Sequence, residues 1–250
     1  MVTEFLGIIP ARYASSRFPG KPLALLGEKP MIQWVYERAS GLFKHLVVAT
    51  DDGRILKTVR DFGGKALMTG SDHTTGTERC AEALDLYRNQ TGLTFSHVVN
   101  VQGDEPLIQT EQLQTLMGCF QVPGTGIATL IRKIPPGEDP RNPNLVKVVV
   151  DKSLKALYFS RAPIPYLRNP KSKGHPVYAH LGLYAYRSEV LEKIVKLPAS
   201  GLEKSELLEQ LRWLEHGISI QTDITNLPSI GVDTPEDLDR LNLEGHFTKN

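Results

Sequence analysis

Cysteine is nearly absent. Cys80 and Cys119 are the only two in 250 residues, and both fall within helix-period patterns. Two thiols exclude a disulfide framework and a four-thiolate zinc site, and they fit a reducing compartment. No apolar run approaches the roughly 18 residues that a membrane-spanning helix needs. The opening segment carries Glu4 and no apolar core of signal-peptide length, so it does not read as a secretory leader. A cytoplasmic protein with no membrane partner is therefore expected. Charge of one sign is missing too: Lys and Arg number 29 against 28 Asp and Glu, a net +1. No overall field draws nucleic acid or an anionic surface, and there is neither a basic helix nor an aromatic stacking motif. A nucleic-acid partner is not expected. Internal repeats, low-complexity tracts and long polar linkers are lacking as well, which leaves no boundary at which to divide the chain.

What is present is an ordinary globular composition, 40% hydrophobic with 21 glycines and 23% charged, long enough to bury a large core. Phe5 to Ile9, Leu46 to Ala49 and His97 to Val101 are short apolar runs with little alternation, the pattern of strands buried on both faces of a parallel sheet. Helix-period segments lie between them. Met31, Trp34, Val35 and Ala39 follow Pro30, and Cys80, Ala83, Leu84 and Tyr87 repeat likewise. Leu113, Leu116, Met117 and Phe120 mark a further helix. Thr75 to Glu78 and Thr234 to Asp237 have the spacing of capping boxes, the second with Pro235 at the first helical position. After about residue 122 the rhythm changes. Ile127 to Ile134, Val146 to Val150, Ala156 to Ser160 and His180 to Tyr186 are strand-like runs joined by loops, which predicts an antiparallel or mixed segment. Leu207, Leu211 and Leu214 then form one helical stripe, Ile218 to Ile224 alternates like a strand, and a last helix follows Pro235. The expectation is a single α/β domain, 1–250, with a mostly parallel central sheet, helices on both faces and a β-rich insert at about 123–190.

Ligands of open α/β sheets bind beyond the carboxyl ends of the strands, so each loop after an apolar run is a candidate. Four loops stand out. Ile8 to Leu23 opens from a strand into Arg12, Arg17, Gly20 and Lys21, a combination that suits a polyphosphate through cations, exposed amides and close backbone approach. A flexible basic loop would look the same, and no Ser or Thr follows Lys21 as a Walker P-loop requires. The second loop ends a strand at Gln102, Gly103, Asp104 and Glu105. Asp104 is either a hard oxygen ligand for Mg²⁺ or a turn residue accepting local amides. In the third, Asp233 directly precedes a helix that Thr234 can cap, which frees Asp233 for a metal or leaves it structural. The fourth, SDHTTGTER, places His73, Thr75 and Gly76 at a helix start, where they read a base, cap the helix, or both.

At these residues a resemblance becomes specific. IPARYASSRFPGKPL, SDHTTGTER, VNVQGDEP, NPNLVKVVVD, YFSRAPIPY, HLGLYAYR, LLEQLR and GVDTPEDL, in this order over about Ile8 to Leu238, resemble the 3-deoxy-manno-octulosonate cytidylyltransferases, or CMP-Kdo synthetases. The resemblance implies a single Rossmann-like nucleotidyltransferase domain that forms a homodimer. It implies an enzyme that uses CTP and Mg²⁺ to convert Kdo, an eight-carbon sugar acid, into CMP-Kdo and pyrophosphate for lipopolysaccharide; the alternative is a related acid, an amino-substituted Kdo or sialic acid. By the same resemblance Arg12 and Lys21 hold the CTP phosphates with Arg17 beside them, Asp104 and Asp233 bind the metal, and Gln102, His73, Thr75 and Gly76 meet the nucleotide. Gln102, Arg161, Arg168, His180, Tyr184, Glu209 and Gln210 meet the sugar acid, with Arg suited to clamp its carboxylate. Two departures accompany the match. Gly70 stands where an Arg is frequent and Thr75 where Ser is common, and Asn169 to Pro176 is short and Lys-rich where relatives often carry a longer acidic loop.

Overall fold

The computed structural model describes residues 2–15, 17–169, 176–245 and 247. They pack as two compact units, Met1–Glu111 with Pro228–Asn250, and Gln112–Leu227.

The first unit is built on parallel strands. β1 (Val2–Ala11) is followed by a two-residue hairpin, β2 (Leu25–Leu26) and β3 (Lys29–Pro30), and then by β4 (Leu46–Thr50), β5 (Ala66–Met68) and β6 (Thr94–Asn100). β1 lies between β6 and β4, with Ile8 opposite both Asn100 and Val47, and β5 joins the far side of β4. All five residues of β4 are buried, so this sheet is covered on both faces, as an unalternating apolar run requires. Helices Met31–Ser40, Gly53–Asp61 and Gly76–Thr91 cover it. The expected core positions Met31, Val35, Ala39, Cys80, Ala83, Leu84 and Tyr87 are buried in them. Helix Pro235–Leu243 returns to this unit, and Leu241 and Val232 pack with Leu26, Met31 and Phe247 in a small satellite core.

Both expected capping boxes form. Thr75 accepts from the Glu78 amide and Glu78 accepts in return, and Thr234 and Asp237 do the same with Pro235 at the first helical position. Each box fixes a helix start beside a loop of interest, and each cap adds about 1 kcal/mol.

The second unit is mixed, as the change of rhythm predicts. β7 (Ile127–Lys133) pairs antiparallel with β10 (Tyr178–Arg187) and parallel with β11 (Ile220–Ile224), while β8 (Lys147–Val150) pairs antiparallel with β9 (Ala156–Ser160) and with β10. Between Leu181 and Tyr184 the register of β10 shifts. Thr129 fills that irregularity, its hydroxyl lying 2.7 Å from the Leu183 carbonyl and 3.1 Å from that of Leu181. The unit extends past the strand-rich segment 123–190 to include helices Ser188–Ile194, Gly201–Glu206 and Glu209–Glu215.

Here one expectation is corrected. Leu207, Leu211 and Leu214 do not share a helix: Leu207 sits in the left-handed region at φ 52° and is 78% exposed, and it ends the first of two short helices. The stripe belongs only to Leu211 and Leu214. An apolar period registers side-chain spacing and is blind to a single residue of reversed backbone sign. The Lys-rich stretch within Asn169 to Pro176 lies outside the described residues for positions 170–175.

Candidate active site

The carboxyl ends of β1 and β6 open onto a cleft whose walls are the loops singled out in the sequence. Arg12, Arg17, Lys21, His73, Thr75, Gly76, Gln102, Asp104 and Asp233 all line it. Residues from four separate stretches of chain thus converge, and all belong to the first unit. Two glycines make the convergence possible. Gly20 takes φ 75° to start the turn Lys21–Leu23, and a Cβ there would press on the Tyr13 ring at 3.0 Å. Gly103 lets the β6 loop pass under β1, where a Cβ would stand 2.8 Å from the Pro10 carbonyl.

Lys21 is the hub. Its ammonium donates to Asp104 Oδ2 at 2.8 Å and to the Val232 carbonyl at 2.8 Å, and it lies 3.5 Å from Asp233 Oδ1. The Lys21 side chain is only 12% exposed, whereas the two carboxylates are 35% and 48% exposed. Arg17 donates to the same oxygen of Asp233 at 2.9 Å. Asp104 and Asp233, 129 positions apart in sequence, therefore converge within reach of one ammonium while keeping faces toward solvent. Because Thr234 and Asp237 complete the helix cap between themselves, the Asp233 carboxylate is not consumed by capping. Arg12 is exposed at the cleft.

The opposite wall is more tightly tied. Thr75 both lines the cleft and caps its helix through its hydroxyl, so capping and lining fall to one residue. His73 Nε2 bonds Glu82 Oε2, which also accepts the Gly70 amide at 2.8 Å. A Cβ at Gly70 would come within 3.0 Å of Asp72 and 3.7 Å of His73 Nε2, so the space beside this glycine belongs to the His73 and Glu82 pair. Arg79 is a cleft residue that the sequence reading did not assign. It is 3% exposed and donates to Asp51, to Thr69 Oγ1 and to the Gly70 carbonyl. Its signal was available, since it stands one helical turn after the cap at Thr75 and on the same face.

The second unit holds the remaining candidates in a different setting. His180 Nε2 lies 3.0 Å from Thr129 Oγ1, and its ring meets Phe159 edge-on and tilts against Tyr184. Burial pushes the His180 imidazole down to about 3, so it is neutral at ordinary pH. Tyr184 is 8% exposed, and its hydroxyl has no hydrogen-bond partner among the described residues. Burial, followed by the negative Glu209, holds this phenol well above its usual range, so it stays a donor. Trp213 closes on the rings of Tyr184 and Tyr186 at near right angles. Gln210 is buried and Glu209 half-buried at the start of helix Glu209–Glu215.

The two arginines differ. Arg161 donates through Nε to the Glu206 carbonyl at 2.7 Å and through its terminal nitrogens to the carbonyls of Pro143 and Leu207. Three of the guanidinium's five donors therefore bind main chain, while Arg168 is exposed.

Comparison with known proteins places the fold and the family. A family model described as Cytidylyltransferase matches residues 6–220. The 3-deoxy-manno-octulosonate cytidylyltransferase of Phocaeicola vulgatus is 52% identical over 244 residues, 95% of each chain. That of Bacteroides thetaiotaomicron is 52% identical over 243 residues, 94% of this chain and 95% of its own. A solved structure of CMP:2-keto-3-deoxy-manno-octonic acid synthetase complexed with CTP superposes with a TM-score of 0.88 at 43% identity, covering 97% of this chain and 98% of the other. The fold is accordingly that of a nucleotidyltransferase with a mostly parallel α/β sheet. With half of its residues shared over nearly its whole length, the chain belongs to the 3-deoxy-manno-octulosonate cytidylyltransferase family of nucleotidyltransferases.

Proposed function

We propose that this enzyme transfers CMP from CTP to the anomeric hydroxyl of Kdo, giving CMP-Kdo and pyrophosphate, as a step toward lipopolysaccharide. The observation that carries the reading is the cleft in which Asp104 and Asp233 meet around Lys21 beside Arg12 and Arg17. Such a site accepts a triphosphate. The cations balance its charge in the ground state, and they stabilise the charge that shifts onto pyrophosphate as the bond breaks. The Kdo hydroxyl attacks the α-phosphorus in line and pyrophosphate departs on the opposite side, with no covalent bond to the protein.

The residues present fit Mg²⁺. Two carboxylates on converging loops, each partly open to solvent, give hard oxygen donors and leave room for the waters and phosphate oxygens that Mg²⁺ retains. When bound there, the ion polarises the α-phosphate and neutralises its oxygens. Lys21, now shared between the two aspartates, is the group freed to turn toward phosphate.

For the sugar acid, the neutral His180 and the Tyr184 hydroxyl, which has no partner among the described residues, suit hydroxyl recognition, while the carboxylate falls to Arg168 and to the two donors Arg161 retains. A homodimer through the second unit is supported by its exposed Leu157, Tyr166, Leu167 and Leu207, which are 60%, 86%, 45% and 78% accessible. Among the described residues no helix is long and apolar enough to cross a membrane, and a cytoplasmic setting is the one in which CTP is supplied.

The deciding experiment is pyrophosphate release from CTP with Mg²⁺ and a panel of Kdo, an amino-substituted Kdo and sialic acid. Release with Kdo at the highest kcat/KM is expected. A preference for another acid replaces the substrate, and no release with any acid removes the activity.

A further inference from the structure

A buried acid next to the cleft has no part in the scheme above. Glu105 is 7% exposed, and its carboxylate accepts a hydrogen bond from Ser229 Oγ at 2.8 Å, across 124 positions of sequence. One residue away, the Asp104 carbonyl accepts from the Val232 amide at 2.9 Å. These two bonds join the loop after β6 to the loop that precedes helix Pro235–Leu243, one side chain to side chain and one along the main chain. Asp104 and Asp233 are immediate chain neighbours of the bonded residues. The loop from Thr225 to Asp233 has no regular structure; the cap at Thr234 fixes the helix start that follows it, and the bonds at Ser229 and Val232 fix it against the loop after β6.

We propose that Glu105 is a positioning residue which, through Ser229, sets the separation of Asp104 and Asp233. The inference rests on the reading of those aspartates as the Mg²⁺ ligands. Burying a carboxyl beside another acid is costly to folding, and here a hydrogen bond that ties two loops together offsets part of that cost. Its worth lies in where it acts. Mg²⁺ demands near-ideal octahedral geometry, so two ligands on separate loops bind it well only if the loops keep their spacing. The ammonium of Lys21 tolerates a looser pair, which explains why the tie goes through main chain and Glu105 instead of through Lys21 alone.

The test uses Ser229→Ala, Glu105→Ala and Glu105→Gln in the full chain. It reads Mn²⁺ binding with CTP present by electron paramagnetic resonance, the Mg²⁺ dependence of pyrophosphate release, and Tm. Loss of an outer-shell partner lowers metal affinity by about 10- to 100-fold. Ser229→Ala and Glu105→Ala should weaken Mn²⁺ binding by about the lower figure and raise the half-saturating Mg²⁺ in parallel, with KM for Kdo at saturating Mg²⁺ unchanged. Glu105→Gln still accepts from Ser229 and should stay near wild type. If Ser229→Ala binds Mn²⁺ as wild type does, or if all three variants lose Tm without changing metal affinity, the proposal is overturned. A wild-type enzyme that binds Mn²⁺ through Asp104 and Asp233 yet releases no pyrophosphate with Kdo would sink the proposed activity and leave the positioning role standing.

Discussion

The cleft of the first unit and the aromatic cluster of the second solve recognition in opposite ways. In the cleft the working groups are charged, partly exposed and already paired with one another: Lys21 with Asp104 and Asp233, Arg17 with Asp233. Each partner stands in for a charge that substrate or metal will bring, so binding exchanges ion pairs and leaves no charge bare. In the cluster the groups are neutral and buried, with His180 discharged by burial and the Tyr184 hydroxyl without a partner among the described residues. At Tyr184 binding adds a bond and exchanges none among the described residues. Variants in the cleft should therefore act through charge and metal, with little effect on the sugar, and variants in the cluster should do the reverse.

The largest effect is expected at the two aspartates. Asp104→Asn or Asp233→Asn keeps the shape and removes a hard anionic ligand, and turnover should fall on the order of a hundredfold or more, matching several kcal/mol of lost metal stabilisation. CTP affinity changes less. Pyrophosphate release across a Mg²⁺ titration checks this, and near-normal rates in both variants would take the pair out of the mechanism.

Next comes Lys21→Ala, which should lower kcat/KM for CTP by roughly ten- to a hundredfold, from about 1.5 to 3 kcal/mol of charge-assisted bonding. It also leaves Asp104 and Asp233 facing each other without a cation, so Mg²⁺ should raise the Tm of this variant more than that of wild type. An equal rise in both would mean that the aspartates do not share an ion.

The arginines sharpen the comparison, because Arg161 is a charged group of the second unit that is already paired, with main chain. Arg161→Lys cannot reproduce three main-chain bonds with one ammonium, and it should cost about 1 to 3 kcal/mol of stability along with a raised KM for Kdo. Arg168→Ala should raise that KM with Tm unchanged, since the side chain is exposed. Neither should move the KM for CTP. If Arg161→Lys loses stability but binds Kdo normally, its guanidinium serves only the loops at Pro143 and Glu206.

The fold of the first unit and most of its cleft were legible because the signals are local. An unalternating apolar run announces a strand buried on both faces, and the capping boxes at Thr75 and Thr234 fix where helices start, so the loops between them are found by subtraction. What those loops do to one another was not legible. That Lys21 would rest between the aspartates and that Glu105 would tie to Ser229 depend on contacts across 83 and 124 positions or more, which no spacing encodes. In the second unit the strands were readable, but the reversal at Leu207 was not, because one left-handed residue leaves the apolar period intact.

The smallest effect is the most discriminating. A buried hydroxyl without a partner has already incurred its desolvation cost of about 1 to 3 kcal/mol, so Tyr184→Phe should leave the protein as stable as wild type or up to about 1 kcal/mol more so. The ring contacts with His180, Tyr186 and Trp213 survive the change. If the hydroxyl is held in reserve for a sugar oxygen, the same substitution should raise the KM for Kdo by roughly tenfold, the worth of one neutral hydrogen bond, and leave the KM for CTP alone. Stability and affinity then move in opposite directions, a result that general loosening of the core cannot produce. A fall in Tm together with unchanged sugar kinetics would instead make Tyr184 a packing residue and move the sugar pocket away from the aromatic cluster.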